Sequence, residues 1–298
     1  MIPFVLRKLY VDLVDEQGTV WIFYFVELGS LGFRQRLAGV EKYPRTGPPS
    51  LRRVVGNPVW PDDPRPNEAF RFRLGLAAGP VEFSAVSLLP PWVPAGPPLS
   101  LPIKWHVVAP RLVVTLRCPD STHPLSGVGY ADFVTLRGLP RSLGVRHLRW
   151  GRAHGPEGTF VFTSVVPRRG NAWQRAALWR GSEAPVEWDR FDSEERPDGL
   201  MLQPANASGP SGDRFALGKE RILRQGDTVD SGRFPQAGER LAYRLVMGST
   251  AETRWAGSSW LDGGNPPARD SAVHESVDFG AAASAASNGS RGKNLRMP

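Results

Sequence analysis

The feature of this sequence best suited to chemistry is a phenol and a carboxylate two places apart, set among glycines and apolar residues. They are Tyr130 and Asp132, in Gly127-Val-Gly-Tyr-Ala-Asp-Phe-Val-Thr-Leu136. Two glycines allow a close turn, and a strand then follows. Side chains alternate along a strand, so Tyr130 and Asp132 share one face while Ala131 and Phe133 take the other. A carboxyl group enclosed by apolar surroundings keeps its proton to higher pH and can serve as a general acid near neutrality. Further on, His147-Leu-Arg-Trp-Gly-Arg152 places His147, Arg149 and Gly151 on one face and Leu148, Trp150 and Arg152 on the opposite one. If the two segments form a hairpin inside a barrel, Asp132 and Tyr130 meet either Arg149 with His147 or Trp150 with Arg152. A charge inside a barrel has to be paired or functional, because burying it alone is costly. The plain alternative is an Asp–Arg pair that ties two strands together.

Other chemical signatures are missing. The chain has no dinucleotide or phosphate-loop motif and no Gly-x-Ser-x-Gly elbow. Its five histidines lack His-x-His or His-Glu-x-x-His spacing, so no metal site is expected. The single cysteine, Cys118, reads as a small buried apolar residue and excludes an internal disulfide. Ten tryptophans are a separate hint. Trp105, Trp150 and Trp255 lie near expected strands, where aromatic faces can line an apolar pocket and stabilise developing positive charge. Filling a core is the ordinary use of such rings.

The elements that must position these groups are strands. Leu9 to Val14 alternates, Asp15-Glu-Gln-Gly18 supplies a turn, and Thr19 to Leu28 is almost wholly apolar, which together predict a hairpin. Short alternating or apolar runs recur, including Phe70–Leu74, Val81–Leu89, Leu112–Cys118, Tyr130–Leu136 and Thr159–Val166, each bounded by Pro or Gly. Trp173–Arg180 reads as helix or as strand. Leu89-Pro-Pro-Trp-Val-Pro-Ala-Gly-Pro-Pro98 is a stiff loop expected to cross the mouth of the first unit. The pattern predicts an all-β protein of two tandem lipocalin-like barrels or sandwiches. The expected divisions are an N-terminal β-domain at 1–122, a C-terminal barrel at 123–262, and a disordered tail at 263–298 rich in Gly, Ala, Ser and Asn.

Composition narrows the function classes. With 298 residues, 41% apolar and 22% charged, the chain can build a sizeable core. The net charge of +8 raises nucleic-acid binding, but only five of the 37 basic residues are lysines and the arginines are scattered singly, so no nucleic-acid partner is expected. No run approaches the roughly 18 apolar residues of a membrane helix, so membrane contact is at most peripheral. The short apolar N-terminus lacks the long core of a secretory signal, and with one cysteine a cytoplasmic location is expected.

Gly-x-Gly-Tyr-x-Asp following a first β-domain, then Leu-Arg-Trp-Gly-Arg, resembles the lipocalin-like hydratase and cyclase group. That group includes the carotenoid 1,2-hydratases and related two-domain Diels–Alderases. The hairpin Tyr10-Val-Asp-Leu-Val-Asp-Glu-Gln-Gly18 and Ile103-Lys-Trp105 are also similar, so the likeness spans about residues 8 to 262. The hydratases usually continue Gly-Tyr-x-Asp with His and a polar residue, where this chain has Phe133, Val134 and Thr135. Gly129, Tyr130 and Asp132 are the positions that carry over.

The resemblance implies cofactor-free hydration or cyclisation, Diels–Alder-type cyclisation included, of a hydrophobic, polyene or isoprenoid-like molecule held in a β-barrel cavity. Asp132 would be the acid and Tyr130 its hydrogen-bonding partner. Trp150 and Trp255 would shield positive charge, Arg149 or Arg152 would place a polar group, and Trp105 and His147 would complete the substrate contacts. A non-catalytic carrier of an apolar ligand, built on the same barrel, is the rival reading.

Overall fold

The computed structural model describes residues 4–30, 32–54, 58–59, 61, 69–96, 103–138, 144–156, 158–205, 214–227, 250–261 and 268–279. Among them there is no helix, and two curled, barrel-like antiparallel sheets carry all the strands. The first sheet comprises β1 (Phe4–Asp15), β2 (Val20–Ser30), β3 (Phe33–Tyr43), β4 (Ser50–Arg53), β5 (Ala69–Leu76), β6 (Gly79–Ser87), β7 (Ile103–Arg117) and β8 (Leu125–Arg137). Its spatial order is β4-β3-β2-β1-β8-β7-β6-β5. The second comprises β9 (Val145–Gly155), β10 (Gly158–Pro167), β11 (Trp173–Trp179), β12 (Val186–Trp188), β13 (Phe191–Glu195), β14 (Gly199–Pro204), β15 (Phe215–Gly218), β16 (Arg221–Asp227), β17 (Thr250–Leu261) and β18 (Ala268–Phe279). Its order is β12-β11-β10-β9-β18-β17-β15-β14-β13, with β16 also paired to β17. The ambiguous Trp173 segment is therefore a strand.

The opening hairpin forms as its sequence predicts. Val14 lies opposite Val20, and Gly18 takes a φ of 74° at the turn. Asp15 fixes that turn, its carboxylate accepting the backbone N–H groups of Gln17 and Thr19 and the indole N–H of Trp21. β1 then pairs along its whole length with β8, so residues over a hundred positions apart become neighbours: Tyr10 faces Asp132 and Asp12 faces Tyr130. Gly127 and Gly129 belong to this pairing and not to a turn. A Cβ at Gly129 would lie 2.3 Å from the Asp12 carbonyl oxygen, and one at Gly127 2.3 Å from that of Val14. Glycine is what lets the two strands approach.

Three expectations need correction. β8 belongs to the first sheet, so the seam falls between β8 and β9 and not at residue 122. For the same reason β8 and β9 form no hairpin; they sit in different sheets and face each other. The stretch from 263 is not all tail, because Ala268–Phe279 form β18, inserted between β9 and β17. Its small and polar residues, which read as a solvated segment, are matched inside: Glu275 to Arg254, and the Ser271 hydroxyl to Ser259. Residues 263–267 and 280–298 lie outside the described residues.

Alternation in the strands creates three apolar layers. Leu9, Val11, Leu13, Phe23, Phe25, Phe72, Phe83 and Ala131 fill the first sheet. Phe160, Phe162, Leu178, Leu202, Phe215 and Ala272 fill the second. Between the sheets lies a third layer, with Tyr10, Ile22, Trp105, Val107 and Tyr130 from one side and Trp150, Val161, Trp173, Trp179, Ala256 and Val273 from the other. β1 is thus buried on both faces, which explains its nearly continuous apolar run. The described part of the proline-rich loop, to residue 96, spans from the first sheet to the second. Trp92 pairs with Val107, and the Ala95 carbonyl accepts from Trp173 Nε1 at 3.3 Å and Arg175 Nε at 3.2 Å, so the loop reaches the second sheet.

Candidate functional site

Asp132 and Tyr130 share a face of β8, as the sequence predicts, but that face is turned away from the first barrel's interior. It looks across at the second sheet, and Asp132 is only 4% exposed there. Ala131 and Phe133 point the other way, into or against the first core. The candidate pair, expected in a barrel interior, therefore lies between the barrels and not within one.

Around Asp132 the side chains are aromatic. Oδ2 accepts two hydrogen bonds, from Trp105 Nε1 at 3.0 Å and from the Tyr130 hydroxyl at 3.0 Å. The Tyr130 ring lies near parallel to Trp150, with centroids 6.0 Å apart, and Tyr10 sets its edge against Trp150 at 4.8 Å. Trp92 meets Trp105 edge-on at 5.6 Å and Trp179 at 6.0 Å. Burial pushes the Asp132 carboxyl up to about 6, opposed by the Trp105 hydrogen bond, the charge of Lys8 and the Tyr130 hydrogen bond. Burial and the adjacent Asp132 carboxylate hold the Tyr130 phenol well above its ordinary value, so it is a donor. A carboxyl oxygen that already accepts two donors has no room for a proton, so the neutral acid carries it on Oδ1.

A second buried carboxylate lies beside the first, and it was missed from the sequence. Asp12 on β1 is fully buried and bonded by Arg152, with Nε to Oδ1 at 3.1 Å and Nη2 to Oδ1 at 2.5 Å, while Arg152 Nη1 donates to the Ser271 carbonyl at 2.8 Å. The signal was available: Tyr10-Val-Asp12 repeats the Tyr-x-Asp spacing of Tyr130-Ala-Asp132, and the antiparallel register puts each tyrosine opposite the other motif's aspartate. The two acids differ in their partners. Asp12 has a guanidinium; Asp132 has neutral N–H and O–H donors. Burial raises both carboxyls, but at Asp12 the charge and hydrogen bonds of Arg152 oppose it, whereas the hydrogen bonds that oppose it at Asp132 come from neutral donors.

The layer contains one more ionic group. Arg254 bonds Glu41 on the first sheet at 3.0 Å, and Glu252 and Glu275 on the second at 2.9 and 2.6 Å. Arg224 lies 3.7 Å from Glu41, and the Tyr43 hydroxyl donates to Glu41. With Asp12–Arg152, these contacts join the two sheets through buried charges that cannot be separated cheaply.

The remaining sequence candidates divide between two places. Trp105, Trp150 and Arg152 lie in the layer with Asp132, Arg152 as the partner of Asp12. His147, Arg149 and Trp255 occupy the opposite face of the second sheet. There Arg149 bonds Glu195 at 2.7 Å, Lys219 bonds the same carboxylate, and His147 Nε2 lies 2.8 Å from the Ser276 hydroxyl. Trp255 stacks on His274 with centroids 5.0 Å apart. Burial pulls His274 down to about 4. Strand alternation decides this split: odd and even positions of β9 cannot reach the same site. Cys118 is buried, and burial raises its thiol. Among the described residues no group of three or more His, Cys, Asp or Glu is placed to hold a metal, and no helix is long and apolar enough to cross a membrane.

No protein-family profile and no curated protein matches the chain. Solved structures do. The AttH protein assigned in Nitrosomonas europaea superposes with a TM-score of 0.60 at 11% identity, covering 92% of each chain. CghA, solved with Sch210972, gives 0.60 at 13% identity, covering 93% of this chain and 89% of its own. Kievitone hydratase from Nectria haematococca gives 0.52 at 9% identity, covering 92% and 89%. At these identities the likeness establishes a shared two-sheet fold along nearly the whole chain.

Proposed function

We propose that this chain is an enzyme that hydrates or cyclises an apolar, alkene-bearing molecule held between its two sheets. The carrying observation is Asp132: a buried carboxyl with a pKa of about 6, oriented by Trp105 and Tyr130 within an aromatic layer. That a similarly folded protein is named a hydratase supports the reading.

In the hydration, an alkene π pair takes the proton from Asp132 Oδ1. A C–H bond forms, and positive charge develops on the adjacent carbon. The ring faces of Trp150 and Tyr130, in the same layer, would stabilise that charge. Water then bonds to the cationic carbon and gives a proton back to the Asp132 carboxylate, so the acid is regenerated and the net change is addition of water. In a cyclisation, a second alkene supplies the electron pair in place of water, and loss of a proton to Asp132 restores the acid. Tyr130 and Trp105 do not transfer protons in either course. They hold Oδ2 and so keep the acidic proton on Oδ1. Arg152 serves the site indirectly, by neutralising Asp12 next to it.

The test has two stages. Organic extracts of freshly purified protein are analysed by mass spectrometry for a co-purifying apolar compound. That compound and its unsaturated precursors are then incubated with wild type and Asp132→Asn. The proposal expects a product heavier by one water, or isomeric, with turnover lost by orders of magnitude in Asp132→Asn. Undiminished turnover in Asp132→Asn would leave only a pericyclic course governed by shape. Recovery of the compound unchanged would make the protein a carrier.

A further inference from the structure

Among the described residues, two tryptophans in the inter-sheet layer carry hydrogen-bond donors with no acceptor. Trp92 comes from the proline-rich loop and is 3% exposed; Trp179 ends β11 and is fully buried. Their rings meet at 86° with centroids 6.0 Å apart, and neither indole Nε1 has a hydrogen-bond partner among the described residues. Three other buried indoles do find acceptors: Trp21 on Asp15, Trp105 on Asp132 and Trp173 on the Ala95 carbonyl. A buried N–H left unpaired costs about 1–3 kcal/mol, and phenylalanine would fill much of the same space without that cost. The pair is also placed with respect to the acid, since Trp92 packs edge-on against Trp105, whose own N–H is bonded to Asp132.

We propose that the Trp92 and Trp179 indole N–H groups bind a carbonyl oxygen of the apolar molecule that enters this layer. Indole N–H is a donor only, so the missing partner is an acceptor. The two rings belong to the same buried apolar layer as Leu89, Val107, Val161 and Ala177, a setting that favours a neutral carbonyl over a carboxylate or phosphate. The loop that brings Trp92 is anchored on both sheets, through the Trp92–Val107 bridge and the Ala95 carbonyl, so an indole from the first unit is held against an indole from the second. The ligand class is thus an unsaturated hydrocarbon skeleton bearing a ketone, aldehyde or ester carbonyl, separated from the Asp132 end by the Trp105 indole. This rests on the function proposed above, and it specifies which oxygen-bearing substrates that site accepts.

The probes are β-ionone, an unsaturated ketone, and the same skeleton with its ketone oxygen replaced by CH2. Binding is measured by calorimetry, and the indole N–H resonances of 15N-tryptophan-labelled protein are followed during each titration. The expected result is that the ketone binds more tightly than the hydrocarbon, by roughly fivefold for each donor engaged. The Trp92 and Trp179 N–H signals, assigned through Trp92→Phe and Trp179→Phe, should move downfield with the ketone and not with the hydrocarbon. Each Phe variant should lose its share of the preference and still bind the hydrocarbon. Equal binding of both probes, with those two signals unmoved, overturns the carbonyl site and leaves the proposed function standing. If neither probe binds, both are overturned. The resonance shifts are read on the unsubstituted protein, so a variant that fails to fold does not remove the test.

Discussion

Replacing Asp132 by asparagine should make the protein more stable at neutral pH, and the gain should vanish in acid. Asparagine keeps a side-chain oxygen to accept from Trp105 Nε1 and the Tyr130 hydroxyl, but it cannot ionise. In the folded protein the Asp132 carboxyl titrates at about 6 against an ordinary value of 3.8. Each pH unit of that gap is worth about 1.36 kcal/mol, so ionising this buried group opposes folding by about 3 kcal/mol at neutral pH. The sign follows from the proton. The folded state binds it more tightly than the unfolded chain, so the stabilisation is complete below about pH 3.8 and fades as pH rises through about 6. Asp132→Asn has no such dependence. Urea unfolding of both proteins from about pH 4 to about pH 8 provides the assay, and the difference in unfolding free energy should climb by about 2.4 kcal/mol in favour of the variant between the acid and neutral ends. Parallel stability curves would refute the assignment of a raised pKa to this carboxyl, and with it the physical basis for an acid here.

Arg152→Met should cost about 3–5 kcal/mol by leaving Asp12 buried without its guanidinium, whereas Asp12→Leu combined with Arg152→Met should recover much of that loss; a double-mutant cycle by chemical unfolding measures the coupling. Trp105→Phe removes the hydrogen bond that most lowers the Asp132 pKa, so infrared titration of the buried carboxyl should show its midpoint rising above about 6. Gly129→Ala places a Cβ 2.3 Å from the Asp12 carbonyl oxygen; thermal unfolding should show a loss of roughly 1–3 kcal/mol from overpacking. Trp255→Phe, on the far face of the second sheet, should leave the Asp132 titration where it is, and a shift in the infrared midpoint would join the two faces in a way the geometry does not.

Local chemistry in the chain reaches as far as single strands and the turns between them. The Asp15–Gly18 turn, the alternation of β1 and the shared face of Tyr130 and Asp132 are each set by neighbouring residues and were legible. Sheet assignment was not, because it depends on pairings such as Tyr10 with Asp132, over a hundred residues apart. β8 was therefore placed with β9, when its partners are β1 and β7. β18 was hidden for a related reason. A strand buried between two others, with its polar groups satisfied by Arg254, Arg152 and Ser259, needs little apolar content of its own. The candidate site was half legible. The Tyr-x-Asp motif named Asp132, but an amphipathic strand does not say whether its polar face looks into a barrel or across to a second domain. That uncertainty scattered the binding candidates, and β9 alternation sent His147 and Arg149 away from the face that holds Trp150 and Arg152.

The account places the binding site between the sheets and not inside either barrel. A crystal structure of the protein grown with β-ionone tests that placement most directly. The account predicts the ketone in the aromatic layer, its ring system against Trp150, an alkene carbon near Asp132 Oδ1 and its oxygen toward Trp92 and Trp179. Density for the probe inside the second barrel, against Trp255 and His274, with the Asp132 surroundings unchanged, would contradict it.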